Sequence, residues 1–196
     1  MLRKTDAIIL RIALVALVGI FVLAYIEMSR HPRGSRGNGS SRALRNACPA
    51  PSAEPARAND LGAADYDWRL TALDGRELSL GEFQDKVVFL NVWATWCGPC
   101  RREMPAIQRL HDSVSGDGVA LVLVSEEDAA EVRAYVEKGK YTFPVYLSAG
   151  AVPKMFNTGT IPATYVINPQ GRVVFEHIGA AAWDSDVCQS FLRALQ

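Results

Sequence analysis

Two cysteines separated by two residues carry the most specific chemistry in this 196-residue chain. Cys97 and Cys100 enclose Gly98 and Pro99 in the stretch NVWATWCGPCRREMP. An apolar, strand-like run precedes the pair, and a charged, helix-like run follows it. A Cys-x-x-Cys pair between a strand and a helix is typical of a dithiol–disulfide redox centre. A metal site and a structural disulfide are the alternatives.

The expected position of Cys97 at the start of a helix favours redox chemistry. Unpaired N–H groups and the helix dipole stabilise a thiolate there, so Cys97 is predicted to be the nucleophile. Cys100 lies one turn further on and is predicted to attack the mixed disulfide and release the substrate. Pro99 fits the first helical turn, where its missing N–H costs little.

A zinc site needs two more ligands, and the sequence offers no second Cys-x-x-Cys and no His-x-x-x-His spacing. The remaining candidates are Cys48, Cys188, His31, His111 and His177. Met104 and Met155 are isolated, so the methionine clusters of a copper carrier are missing. We therefore expect neither a metal nor another cofactor.

The elements around the pair predict one α/β domain at residues 60–196. Near-continuous apolar runs at 86–93 and 118–124 are typical of parallel strands buried on both faces. Two hairpins are predicted around turns at 74–75 and 168–171. Helices are predicted over three segments: 97–112, 128–138 and 184–195. This order gives a central mixed β-sheet flanked by helices on both faces.

The first 28 residues form a separate segment. Residues 7–26 contain a single charge, Arg11, and twenty helical residues span about 30 Å, the thickness of a bilayer's hydrocarbon core. A cytoplasmic stub with an uncleaved N-terminal transmembrane helix is therefore predicted at 1–28. A cleaved signal peptide is the alternative, with a loose cleavage-site match at 22–24.

Residues 29–59 are rich in Arg, Ser, Gly, Pro and Ala, which predicts a flexible linker. The five arginines at 30–45 could instead bind anionic lipid. Positive charges after the apolar span outnumber those before it, which alone would place the C-terminal side in the cytoplasm. Over the whole chain Lys+Arg and Asp+Glu balance at 21 each, so no basic excess suggests nucleic acid as a partner.

The stretches WATWCGPCRREMP and GTIPATYVINPQG together resemble the TlpA/ResA/CcmG-like family, and its TlpA branch most of all. The resemblance covers about residues 65–196 and the anchor-then-linker layout. It implies a thioredoxin-like fold and a disulfide reductant in cytochrome c maturation or cytochrome oxidase assembly. Its substrates would be apocytochrome c or a copper-site assembly protein, and an integral membrane thiol protein would donate the electrons.

The same resemblance implies a single-pass protein of the bacterial inner membrane with its C-terminal domain in the periplasm, against the count of positive charges. Nothing in the sequence requires an oligomer, so a monomer is expected. A disulfide oxidant or isomerase of the same fold is one alternative, disfavoured by the Gly-Pro dipeptide and the predicted anchor. A non-enzymatic, copper-binding assembly factor that uses Cys97 and Cys100 as ligands is another.

Single residues also match the family pattern. Cys97 corresponds to the attacking cysteine and Cys100 to the resolving one. Ile161-Pro162 corresponds to a segment with a cis proline beside the dithiol, whose free backbone would pair with an extended substrate strand. An ordinary trans proline is the alternative. Trp96 is expected at the rim of the site.

Glu103 matches an acidic residue of the ResA-like branch. It lies three residues after Cys100, on the same helix face, and is predicted to relay the proton that Cys100 loses. The alternative is a solvated helix carboxylate. The buried aspartate of cytoplasmic thioredoxins corresponds here to Asn91, which cannot titrate.

Two cysteines remain once the Cys97–Cys100 pair is set aside. The TlpA branch is similar in carrying an extra cysteine between anchor and domain, and an oxidising compartment disfavours unpaired thiols. We therefore expect a Cys48–Cys188 disulfide that closes a loop of about 140 residues and resists reductant. A buried core thiol at Cys188 and intermolecular pairing of Cys48 are the alternatives.

Overall fold

The computed structural model describes Cys48 and residues 59–196. The predicted anchor at 1–28 lies outside these residues, as does the predicted linker at 29–59 apart from Cys48 and Asn59. Among the helices of the described part, none combines the length and apolar character needed to cross a bilayer.

Every predicted strand and helix is present, with ends shifted by a few residues. The strands of the described part are β1 Asn59–Asp60, β2 Arg69–Ala72, β3 Glu77–Ser79, β4 Val87–Val92, β5 Val119–Ser125, β6 Val145–Ser148, β7 Ala163–Ile167 and β8 Arg172–Ile178. The α-helices are α1 Ala63–Tyr66, α2 Gly98–Val114, α3 Ala129–Gly139 and α4 Asp186–Arg193. A 3₁₀ turn, Leu80–Phe83, follows β3. The elements β1, α1 and β6 are additional to the prediction.

The strands form one mixed sheet in the order β1-β8-β7-β4-β5-β6-β2-β3, which confirms the predicted sheet type. β4 pairs in parallel with β5, and β5 with β6, while the other pairs are antiparallel. All six residues of β4 are buried, as a central strand covered on both faces requires.

The prediction of helices on both faces is wrong for the three longer helices. β4, β5 and β6 are neighbours in chain order, so α2 and α3 are successive crossovers in the same direction. Right-handed crossovers of that kind lie on one face of the sheet. Residues of α2, α3 and α4 accordingly share one core cluster, for example Ile107, Val132 and Phe191. The other face is covered by the 3₁₀ turn and by the segment before β7, through Leu80 and Phe156.

Strand directions bring three loops to one edge of the sheet. The carboxyl ends of β4 and β5 meet there because these strands are parallel. The start of β7 also lies there, because β7 is antiparallel to β4 and pairs Ala163 with Val92. The loop that follows β4 therefore meets the residues that follow β5 and the residues that precede β7.

A disulfide joins Cys48 to Cys188 of α4, with an S–S distance of 2.00 Å and both cysteines buried. The pairing expected from the sequence is thus present in the structure. It closes a loop of 140 residues, for which the chain-entropy model gives an upper bound of about 5 kcal/mol of stabilisation.

Candidate active site

The dithiol lies at the junction of the β4 loop and α2. Cys97 is the N-cap of α2, and Pro99 occupies the first turn, where the helix needs no N–H donor. The backbone N–H of Cys100 donates to Cys97 Sγ at 3.2 Å. The two sulfurs are bonded at 2.11 Å. Both cysteines are buried, but Cys97 keeps 5% of its surface exposed and Cys100 keeps none.

The segment before β7 borders the dithiol on one side. The Ile161–Pro162 peptide bond is cis, as expected from the sequence, and the carbonyl oxygen of Ile161 lies 3.8 Å from Cys97 Sγ. Trp96 is 73% exposed and, together with Ile161 and Phe156, lines a groove of about 220 Å³. The structure thus places Trp96 at the rim, as predicted.

Glu103 lies one turn after Cys100 on α2 and is fully buried. Its Oε2 accepts hydrogen bonds from the indole N–H of Trp183 at 2.7 Å and from the backbone N–H of Ala181 at 3.2 Å. Its Oε1 accepts a hydrogen bond from the side-chain amide of Asn91 at 3.0 Å. The alternative of a solvated helix carboxylate is therefore wrong, and the carboxyl group belongs to the buried polar centre beneath the dithiol helix.

Burial raises the pKa of the Glu103 carboxyl to about 7, because loss of water disfavours the charged form. The hydrogen bonds from Trp183, Asn91 and Ala181 stabilise the charged form and oppose this shift, but desolvation is the larger effect. A carboxyl with a pKa near 7 can accept or release a proton at neutral pH, which suits acid–base catalysis. Within this hydrogen-bonded group the titratable side chain is Glu103 of α2, and β4 contributes Asn91, whose amide does not titrate.

A second carboxylate, Glu127, holds the loop that leads into the dithiol. The backbone N–H of Thr95 donates to Glu127 Oε2 at 2.6 Å, and the Thr95 hydroxyl donates to Oε1 at 2.5 Å. The hydroxyl of Ser125, the last residue of β5, also donates to Oε2 at 2.9 Å. Because Thr95 lies two residues before Cys97, these bonds fix the loop to the end of the neighbouring strand.

Glu127 and Thr95 were not predicted as site residues, although the sequence contains a usable signal for Glu127. Glu127 lies two residues beyond a buried parallel strand, at the edge where such strands bring their following loops together. No comparable signal exists for Trp183, which lies 80 residues from Glu103 in the chain. Its hydrogen bond depends on how the segment before α4 packs against α2.

Replacing Glu127 with alanine is expected to lower the free energy of unfolding by about 1–2 kcal/mol, because Thr95 loses the acceptor of two hydrogen bonds. Glu126→Ala is the matched control, since Glu126 is the adjacent carboxylate and its side chain is exposed. We expect the control to change stability by less than about 0.5 kcal/mol. Chemical denaturation of both variants tests this, and equal losses would contradict the role assigned to Glu127.

Comparisons with known proteins agree with this geometry. A family model described as the AhpC/TSA family matches residues 61–176. Thioredoxin-like protein YneN of Bacillus subtilis (strain 168) is 35% identical over 117 residues, which are 58% of this chain and 68% of YneN. Thiol-disulfide oxidoreductase ResA of Geobacillus kaustophilus (strain HTA426) is 36% identical over 115 residues, which are 58% of this chain and 66% of ResA.

A solved structure shows the same architecture. A thiol:disulfide interchange protein of the thioredoxin family from Chlorobium tepidum TLS matches with a TM-score of 0.56 at 23% identity, covering 73% of this chain and 97% of its own. With the observed sheet, this similarity confirms the predicted thioredoxin-like α/β fold.

Proposed function

The chain belongs to the AhpC/TSA family and is a thiol-disulfide oxidoreductase, and we propose that it reduces protein disulfides in the bacterial cell envelope. The observation that carries the exchange chemistry is the unequal exposure of the two cysteines, while the direction of the exchange is supported by the resemblance of the CGPC and Ile161-Pro162 motifs to envelope reductants. Cys97 keeps a small exposed surface at a helix N-terminus, whereas Cys100 is enclosed in the core. This arrangement separates an attacking sulfur from a resolving one.

The reaction then proceeds in two exchanges. The Cys97 thiolate attacks one sulfur of the substrate disulfide, the substrate S–S bond breaks, and the other substrate sulfur leaves as a thiolate that takes up a proton. Cys100 next attacks Cys97 Sγ in the mixed disulfide, and the second substrate sulfur leaves in the same way. Two electrons pass to the substrate, and the Cys97–Cys100 disulfide is formed.

We assign Glu103 the role of the base that accepts the proton of the Cys100 thiol before the second exchange. It follows Cys100 by one helical turn on the same face. The pKa of its carboxyl, raised to about 7 by burial, allows it to accept this proton near neutral pH. Ile161 and Trp96 lie at the groove beside Cys97 and are assigned to substrate binding. In this assignment the backbone of Ile161 pairs with an extended segment of the substrate.

The cellular setting is also part of the proposal. The apolar segment at 1–28 would anchor the protein in the inner membrane, with residues 60–196 in the periplasm. This location is supported by the resemblance of the dithiol and Pro162 motifs to those of envelope proteins that have the same order of anchor, linker and domain. An integral membrane thiol protein would return the dithiol to its reduced form. The substrates would be proteins of cytochrome c maturation or cytochrome oxidase assembly.

The reduction potential of the Cys97–Cys100 couple tests the direction of electron flow. The protein is equilibrated with graded thiol–disulfide buffers, alkylated and mapped by mass spectrometry, which distinguishes this pair from Cys48–Cys188. A reductant is expected to have a potential near that of thioredoxin, about −270 mV, whereas an oxidant would lie near about −120 mV. A value at the oxidising end would overturn the proposed direction.

A further inference from the structure

A cavity with a basic lining opens on the Gly98 side of Cys97. Its volume is about 550 Å³, and it lies between the first turns of α2 and the end of α3. Gly98, the next residue after Cys97, forms part of its wall, so the cavity begins one residue from the attacking cysteine. The groove bordered by Trp96 and Ile161 shares none of its lining residues.

Of the residues that the structure describes, three cations and no carboxylate line this cavity. Arg101 and Arg102 come from α2 and Lys138 from α3, and all three side chains are exposed. None of the ion pairs formed among Cys48 and residues 59–196 involves them. The N-terminus of α2 adds positive potential at Gly98. The cavity is therefore positively charged without an internal counter-ion.

Aromatic rings complete the wall. Tyr135 and Tyr141 stack with their ring centroids 6.0 Å apart, and both line the cavity. Gly139 permits this, because a Cβ at that position would collide with the Tyr141 ring. Burial raises the pKa of Tyr135 to about 12, with Tyr141 adding to the shift and Arg101 opposing it, so the hydroxyl keeps its proton at neutral pH. A low-dielectric wall beside cations strengthens the field that an anionic group experiences.

On the premise of the proposed function, we propose that this cavity receives acidic side chains that flank the disulfide of the substrate protein. The position favours a polypeptide over a free anion, because a substrate segment held at Cys97 needs to extend past only one residue, Gly98, to reach the cavity. On the Trp96 side the groove is lined by apolar and uncharged polar residues and by one carboxylate, Glu126. The two sides of Cys97 thus differ in charge, which would orient the substrate as well as attract it.

The test uses three model peptides with the same disulfide, flanked by glutamates, glutamines or lysines. The reduced full-length protein is mixed with each peptide, and the rate of disulfide reduction is followed at low and high ionic strength. We expect the glutamate peptide to react about tenfold faster than the glutamine peptide at low salt, and the lysine peptide to react slowest. The preference should shrink as salt screens the charges.

Charge reversal at the cavity should remove this preference. Arg102→Glu and Lys138→Glu are expected to bring the glutamate peptide to the rate of the glutamine peptide or below. Lys86→Glu is the matched control and should keep the wild-type preference. Lys86 is an exposed lysine just before β4, and the six residues of that strand place it about 20 Å from the dithiol edge.

The outcomes separate this inference from the proposed function. If the unmodified protein reduces no peptide, the proposed function fails and this inference fails with it. If it reduces all three at equal rates, or if Lys86→Glu acts like Lys138→Glu, the reductase stands and the acidic-substrate inference is overturned. The inference is likewise overturned if the cavity variants lose binding to anionic vesicles but keep the peptide preference, which would assign the cavity to lipid.

Discussion

Replacing Cys100 with serine is expected to turn the protein from a catalyst into a trap for its substrates. Cys97 retains its place at the start of α2, so it still attacks a substrate disulfide. Serine cannot complete the second exchange, and the mixed disulfide persists. We expect turnover to fall to at most one reaction per molecule. Non-reducing electrophoresis and mass spectrometry of the adduct measure this.

Cys97→Ser is the informative control for the trapping experiment. It leaves Cys100 as the sole thiol of the pair, and that residue is 0% exposed. A thiol enclosed in the core cannot reach a substrate disulfide, so this variant should be inactive and should trap nothing. Equal or greater trapping by Cys97→Ser would reverse the roles assigned to the two cysteines.

Local sequence patterns were sufficient to predict the elements that carry the dithiol. The apolar run at 86–93 indicates a buried strand and the following CGPC a helix start, and β4 and α2 bear out both. β6 is different, because it has only four residues and follows Pro144 directly. Its existence depends on pairing with β5 and β2, which are far away in the chain.

The remaining site features depend on topology and packing. The face of the sheet on which α3 lies depends on the order of the strands in the sheet. The sequence predicts the strands and helices but not that order. The Glu103 environment combines Asn91 of β4 with Trp183 before α4, two contacts that no local pattern contains. The basic cavity likewise joins Arg102 of α2 to Lys138 of α3, although each of them alone has the appearance of an ordinary solvated charge.

Replacing Glu103 with glutamine is expected to slow substrate reduction about 100-fold near neutral pH, the order of effect of a missing acid–base group. In the unmodified protein Glu103 must be deprotonated to accept the proton of Cys100, so the rate of the second exchange should rise as pH increases through about 7. In Glu103→Gln this rise should vanish, leaving only the ionisation of Cys100 itself at higher pH. Single-turnover reduction measured from pH 5 to 9 tests the profile.

The stability of the same variant tests the buried carboxyl independently of catalysis. The folded-state pKa of about 7 lies above the ordinary value of 4.5, so the folded state binds more protons between these values. Stability should therefore fall as pH rises from about 4.5 to 7, and ionised Glu103 should cost about 3 kcal/mol above that window. Glutamine keeps the shape of the carboxyl group, and the Oδ1 of Asn91 has no partner among the described residues. An amide flip would let this oxygen accept from the new N–H₂ group, while the N–H₂ of Asn91 gives up its bonds to residue 103 and Thr164, a smaller cost than that of the ionised carboxylate. Glu103→Gln should lose the pH dependence and match or exceed the unmodified protein in stability at pH 8. If the two proteins show the same decline with pH, another group is responsible for it and Glu103 is not the titrating acid of the site.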